Sequence, residues 1–208
     1  LEFSIGLLMK ALESRGAKDF HGVQLRLEEA IAWRHMFNAI LEAQVNTPEP
    51  WTGDYVNPDI RHGLTYRVLA TIAYPRIKEL IEHDVSSGLI FMNSNAVDFK
   101  VPEIRPYLDK YLRGSNGYSA IDKMKVMKAL WDAIGSEFGG RHELYERNYA
   151  GNQENIRLET LLTAQAMGDV DQYVKFAEQM MDEYDLDGWK VDDLVNPDDV
   201  NIHMQKFS

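Results

Sequence analysis

The stretch HGVQLRLEEAIAWRHMFNAILEAQV, residues 21–45, decides the fold class. Leu27, Ile31, Met36, Ile40 and Leu41 recur at helical steps, with Arg26, Glu29, Arg34 and Glu42 between them. That arrangement puts an apolar stripe on one side of an α-helix and charge on the other. The same pattern extends outward. Upstream, Phe3, Leu7, Leu8, Ala11 and Leu12 predict a helix over residues 3–14, ended by Gly16 and the polar residues up to Asp19. Downstream, residues 47–50 (TPEP) stop the long helix, because proline supplies no backbone donor. Residues 51–57 read as a loop, with Gly53 in it. Asn57 as N-cap and Pro58 as first-turn residue open a third helix to about Val85, and Pro75 inside it predicts a kink or break.

The one candidate strand is LIFM, residues 89–92, between Gly88 and Asn93. Pro102 opens a further helix to Leu112, residues 114–117 (GSNG) form a turn, and helices are predicted over 120–138, 152–167 and 170–184. Residues 185–208 are acidic and turn-rich and read as an extended tail. The expected organisation is all-α: a helical domain over residues 1–184 and a tail over 185–208.

Composition narrows the function classes. The chain has 208 residues, 45% apolar and 26% charged, enough for one large helical domain. Its longest apolar run, residues 89–92, is far below the ~20 residues needed to span a bilayer. A net charge of −11 argues against a nucleic-acid partner and against anionic membrane surfaces. With no cysteine, disulfides, thiolate nucleophiles and Cys-ligated metal clusters are excluded within this segment, which fits a cytoplasmic protein. Leu1, Glu2 and Phe3 carry no secretory signal, and an amphipathic pattern is already under way by Phe3. The expectation is a segment cut from a longer polypeptide and not a complete enzyme.

The densest motif is GSEFGGRHELYERNYAG, residues 135–151. Gly139 and Gly140 interrupt an otherwise helical run, and glycine costs roughly 1 kcal/mol inside a helix. A glycine pair therefore suggests a chain break, or close approach of another backbone or a ligand. A helix starting near Arg141 would turn free N–H groups toward an anion, with Arg141 adding charge-assisted bonds. The plainer reading is a helix start with solvated charges. His142, Glu143 and Glu146 miss the zinc pattern, which needs histidines at i and i+4. Residues 183–188 (EYDLDG) resemble half a calcium loop, but Leu194 stands where its bidentate glutamate belongs. No metal site is expected.

The segment EFGGRHELYERNYAG (137–151), preceded by WDAIG (131–135), resembles the C-terminal signature of the oxygenase component of 4-hydroxyphenylacetate 3-monooxygenases. SGLI (87–90), IRPY (104–107), YLRG (111–114), YDLDGW (184–189) and KDFHGV (18–23) fall in the family's order. The chain departs from the family at Met92, Asn93 and Ser94, where Leu-Pro-Ser is expected. The resemblance implies an acyl-CoA dehydrogenase-like C-terminal four-helix bundle. It also implies a share in ortho-hydroxylation of a phenol by molecular oxygen, with reduced FAD supplied by a separate flavin reductase, and a homo-oligomer, by fold a tetramer. By the same resemblance Arg141, His142, Glu143, Leu144, Tyr145, Glu146 and Arg147 contribute to the FAD site. Tyr149, Gly151 and Asn152 fall near the phenol, and the catalytic residues lie elsewhere in the longer family members. Two rival readings are a related flavin-dependent acyl-CoA dehydratase, whose iron–sulfur cluster needs cysteines, and a non-catalytic helical oligomerisation module.

Overall fold

The computed structural model describes residues 1–149 and 151–182, and the backbone of 184–185 and 188–189. The chain divides into two compact units, residues 1–160 and 161–208.

In the first unit, α1 (Glu2–Arg15), α2 (His21–Asn46), α3 (Ile60–Val85) and α5 (Ala120–Leu130) pack around one apolar core. Ile5, Leu8 and Leu12 of α1 meet Val23 and Ala30 of α2, Ile77, Leu80 and Ile81 of α3, and Met124, Met127 and Leu130 of α5. Each large apolar side chain fully buried here contributes about 1.5–3 kcal/mol relative to exposure. Gly16 ends α1 with φ +70°, a left-handed conformation that lets its N–H return to the Glu13 and Leu12 carbonyls.

The start of α3 lies two residues later than the sequence suggested. The N-cap is Asp59 and not Asn57: its carboxylate accepts from the Arg61 N–H at 2.8 Å and from the Arg61 guanidinium at 2.7 Å. The helix then runs without a break through Pro75 to Val85. Its far end is tied to α1 and α2. Arg15 donates to the Asp84 and Val85 carbonyls, and Arg26 pairs with the buried Asp84 carboxylate. Cations there complement the negative end of the helix.

Strand pairing sits elsewhere than expected. Residues 86–89 form a tight helical turn and 90–92 are irregular, whereas β1 (Glu49–Pro50) pairs antiparallel with β2 (Val56–Asn57) across the 51–55 loop. The helix expected from Pro102 begins at Arg105: α4 is Arg105–Tyr111, with Pro106 in its first turn. The helix expected over 120–138 is three pieces: α5, a wide π-turn over Trp131–Gly135, and α6 (Glu137–Asn148).

Helix α7 (Gln153–Ala166) begins in the first unit. In the second unit, α8 (Asp169–Asp182) is strongly amphipathic, yet its Tyr173, Val174, Phe176 and Met181 are exposed. Beyond it β3 (Tyr184–Asp185) pairs antiparallel with β4 (Gly188–Trp189). The acidic tail and the calcium-loop-like segment otherwise lie outside the described residues. Among the described residues no helix is long and apolar enough to cross a membrane.

Candidate functional site

Helix α6 is placed by a break at Ser136, three residues ahead of the glycine pair. The Ser136 hydroxyl accepts from the Gly139 N–H at 3.0 Å and donates to the Asp132 carbonyl at 2.8 Å, stitching α6 to the π-turn. A Cβ on Gly139 would lie 2.7 Å from the Ala133 carbonyl oxygen, so glycine is required for α6 to approach the turn that closely. Gly140 has open space around it. The Gly139–Gly140 pair therefore lies inside the first turns of α6, and Arg141 is not at a helix start; its N–H is not part of an exposed helix N-terminus.

The consequence is a directed α6. Its inner face presents Glu143, whose side chain is 13% exposed, and Arg147, 27% exposed. Glu143 Oε1 takes the Arg147 Nη1 at 3.2 Å, and its Oε2 takes the Lys78 Nζ of α3 at 3.4 Å. One carboxylate thus bridges two cations from two helices. Beside it a cleft of about 340 Å³ opens in the first unit. Its apolar lining includes Ile77, Ile81, Ile134 and Ile156, and aromatic rings come from Phe37, Tyr66, Tyr74 and Tyr149. Phe37 and Tyr66 meet edge to face, centroids 4.8 Å apart. Charge comes from Arg67, Lys78, Glu146 and Arg147. Burial, aided by Glu143 and Glu146, pushes the Tyr74 phenol above its usual range, so it stays a neutral donor.

The structure gathers Glu143, Glu146, Arg147 and Tyr149 at or beside this cleft. Arg141, His142, Leu144 and Tyr145 lie on the solvent side of α6. Arg141 is 81% exposed and pairs with Glu137 at 3.7 Å. His142 stacks on Phe138, and Tyr145 on Tyr149. Gly151 holds a positive φ after α6, and Asn152 caps α7 by accepting from the Asn155 N–H at 2.8 Å. The wall given by α3 went unread in the sequence. Arg67, Thr71, Tyr74 and Lys78 stand at steps of four, three and four residues, a polar stripe on one helix face. That spacing is the signal the sequence offers, and Pro75 masks it by interrupting the stripe with a helix-breaking residue. Among the described residues no group of three or more His, Cys, Asp or Glu side chains could hold a metal.

Residues 1–178 match the family model described as HpaB, 4-hydroxyphenylacetate 3-hydroxylase C terminal. Over 194 residues the chain is 55% identical to a (3S)-3-amino-3-(3-chloro-4-hydroxyphenyl)propanoyl-[peptidyl-carrier protein SgcC2] monooxygenase of Streptomyces globisporus, covering 93% of this chain and 37% of that one. The crystal structure of the oxygenase component (HpaB) of 4-hydroxyphenylacetate 3-monooxygenase complexed with FAD superposes with a TM-score of 0.75 at 26% identity, over 86% of this chain and 38% of that one. An oxygen-tolerant archaeal 4-hydroxybutyryl-CoA dehydratase from N. maritimus superposes with a TM-score of 0.77 over 94% of this chain and 37% of that one; at 15% identity this is a likeness of fold alone. The chain spans 37% to 39% of the length of three curated relatives that it matches. The chain thus belongs to the 4-hydroxyphenylacetate 3-hydroxylase C-terminal family.

Proposed function

We propose that the chain is the C-terminal helical part of the oxygenase component of a two-component aromatic monooxygenase. It would ortho-hydroxylate a phenol such as 4-hydroxyphenylacetate, using molecular oxygen and reduced FAD from a separate flavin reductase. The observation that carries this reading is the α3–α6 cleft, lined by aromatic, apolar and charged side chains, to which the 137–151 motif contributes Glu146, Arg147 and Tyr149. Such a lining suits a planar ring system bearing phosphates. At about 340 Å³ it stands at the low end of the ~300–1,000 Å³ typical of small-molecule pockets, so a whole dinucleotide overflows it. These residues fit a part of the cofactor.

Reduced FAD supplies the electrons that activate oxygen. The chain's own residues bind and shield. Ile77, Ile81, Ile134 and Ile156 would exclude water from the part of the cleft they line, and Tyr74 offers a proton-bearing hydroxyl. Glu143, Glu146 and Arg147 serve the cofactor from the inner face of α6. Arg141, His142, Leu144 and Tyr145 would meet the rest of it from the outer face, with Tyr149, Gly151 and Asn152 at the turn toward the phenol. We further propose residues 1–184 as the bundle and 185–208 as an arm, a cytoplasmic location, and self-association into a tetramer. The exposed apolar residues of α8 favour self-association, since contiguous apolar surface marks interaction sites.

Flavin titration tests the reading. The 208-residue chain should bind reduced FAD weakly or not at all. A polypeptide extended at its N-terminus to the relatives' length should bind it tightly and run as a tetramer in light scattering. Submicromolar FAD binding by the 208 residues alone would overturn the partial-site assignment. In the extended protein, Arg141→Ala with Tyr145→Ala should weaken FAD binding by about tenfold or more, as loss of a charge-assisted bond and a ring contact implies. Unchanged affinity would remove the outer face of α6 from the site.

A further inference from the structure

Asn116–Gly117 is the one place in the sequence where glycine follows asparagine. A glycine nitrogen, with no Cβ beside it, can reach the carbonyl carbon of the preceding side chain; every other asparagine here is followed by a residue whose side chain hinders that approach. The structure sets the pair in an exposed tight turn. The Tyr118 N–H donates to the Ser115 carbonyl at 3.0 Å, with Asn116 at φ +52° and Gly117 at φ +79°. The Gly117 N–H donates to nothing among the described residues, and the space around this glycine is open. The turn is docked on the end of α1 by three bonds. The Ser115 N–H donates to the Ser14 carbonyl at 2.7 Å, Asn116 Nδ2 to the Glu13 carbonyl at 2.8 Å, and the Tyr118 hydroxyl to the Glu13 carboxylate at 2.7 Å. Asn116 thus supplies a donor to the carbonyl-rich, negative end of the helix.

We propose that Asn116–Gly117 is a self-modification site, a deamidation centre gated by the docking of the 114–118 turn on α1. While the turn is docked, the bond to Glu13 holds the Asn116 amide. When the turn lifts, the Gly117 nitrogen gives up its proton to base and attacks Asn116 Cγ. The Cγ–Nδ2 bond breaks, and ammonia leaves with a proton returned from solvent, so that a cyclic imide closes on the main chain. Water then opens the imide at either carbonyl, leaving aspartate or isoaspartate at position 116. The product cannot redock as before. A carboxylate oxygen stands where Nδ2 donated, facing the Glu13 carbonyl and near the Glu13 carboxylate, and isoaspartate also lengthens the main chain of the turn by a carbon. The change therefore runs one way and loosens the tie between α1 and the turn that leads into α5. None of these residues lines the α3–α6 cleft, so the site stands apart from the proposed oxygenase function.

The test is peptide mapping by mass spectrometry of the 208-residue chain, aged at neutral and at mildly alkaline pH, with and without urea. In the folded chain, position 116 should be the first asparagine to show the mass change of ammonia exchanged for water, and its rate should rise with pH. That rate should be slower than in urea by about tenfold or more, since only the opened turn reacts. Tyr118→Phe removes one bond of the dock. It should speed conversion of the folded chain by about threefold to tenfold and leave the rate in urea unchanged. Asn116→Asp, which mimics one product, should melt below the unsubstituted chain at pH 7. No conversion at position 116 of the folded chain, or earlier conversion of another asparagine, would overturn the site. A folded-chain rate equal to that in urea, or untouched by Tyr118→Phe, would overturn the gate. An Asn116→Asp chain that melts with the unsubstituted one would overturn the loosening of the dock.

Discussion

At the scale of single residues, the adjacent glycines of α6 separate two physical roles that look identical in sequence. Gly139 lies against the Ala133 carbonyl, where a Cβ would sit 2.7 Å from backbone oxygen that cannot swing aside. Gly140 faces open space on the same helix. Gly139→Ala should therefore destabilise the chain by roughly 1–3 kcal/mol, the usual range for overpacking. Gly140→Ala should stabilise it by about 0.5–1 kcal/mol, because alanine loses less backbone entropy in a helix. Thermal melts of the two variants check both signs together. Equal shifts would show that α6 does not pack on the π-turn as described. The pair also shows what was legible. The sequence marks a close approach near residue 139, and the structure supplies one, from the chain's own backbone. The break it suggested is carried by Ser136, because a serine cap and a wide turn satisfy the backbone donors better than a glycine pair can.

At the scale of elements, the apolar periodicity made the helices legible. The extents expected for α1, α2 and α3 agree with the structure to within about three residues; α1 and α3 bury Leu, Ile and Ala in one core, whereas α2 turns Val23, Ala30 and Phe37 inward and leaves Ile31 and Leu41 of its expected apolar stripe exposed. Short features escaped for a physical reason. A strand of two residues, such as β1 or β2, has no alternation to read, and the apolar run 89–92 buries only Leu89 fully. Asn57 and Asp59 are both good caps in sequence, and the contacts of Asp59 with the Arg61 N–H and guanidinium favour Asp59. Half of the site was hidden likewise: the α6 residues stand together in sequence, whereas the α3 stripe is spread over residues 67–78. The cap has a measurable consequence. Asp59→Ala removes the N-cap of α3 and strands the Arg61 contacts, so it should cost about 1–2 kcal/mol in denaturant unfolding. Asp59→Asn, which keeps the cap and drops the charge, should lose less. Equal losses in the two variants would assign the whole effect to the ion pair.

At the scale of the whole molecule, acidity acts on the chain in two opposed ways. With a net charge of −11, protonating carboxylates relieves repulsion. Yet four carboxylates in the first unit are held below their usual range by partners that the fold brings to them. These are Glu2 by Arg34, Glu13 by Tyr118 and Lys10, Glu29 by Arg76, and Asp59 by Arg61. Three of these ties join elements distant in sequence: α1 to α2, α1 to the turn before α5, and α2 to α3. A carboxyl whose folded pKa is depressed gives its stabilisation in full above its unfolded value, 4.5 for Glu and 3.8 for Asp, and loses it as pH falls through the lower folded value. The repulsion is spread over exposed, salt-screened charges and changes little between pH 7 and 5. The specific ties therefore win on the acid side. The melting temperature should be nearly level from pH 7 to 5 and fall steeply below about pH 4.5 as these groups protonate. Glu29→Gln should lower it at pH 7 and narrow the difference between pH 7 and pH 3, because it removes one of the groups that senses the change. A melting temperature that holds or rises between pH 5 and pH 3 would mean that relief of repulsion outweighs the ties between helices, and that the bundle rests on its apolar core alone.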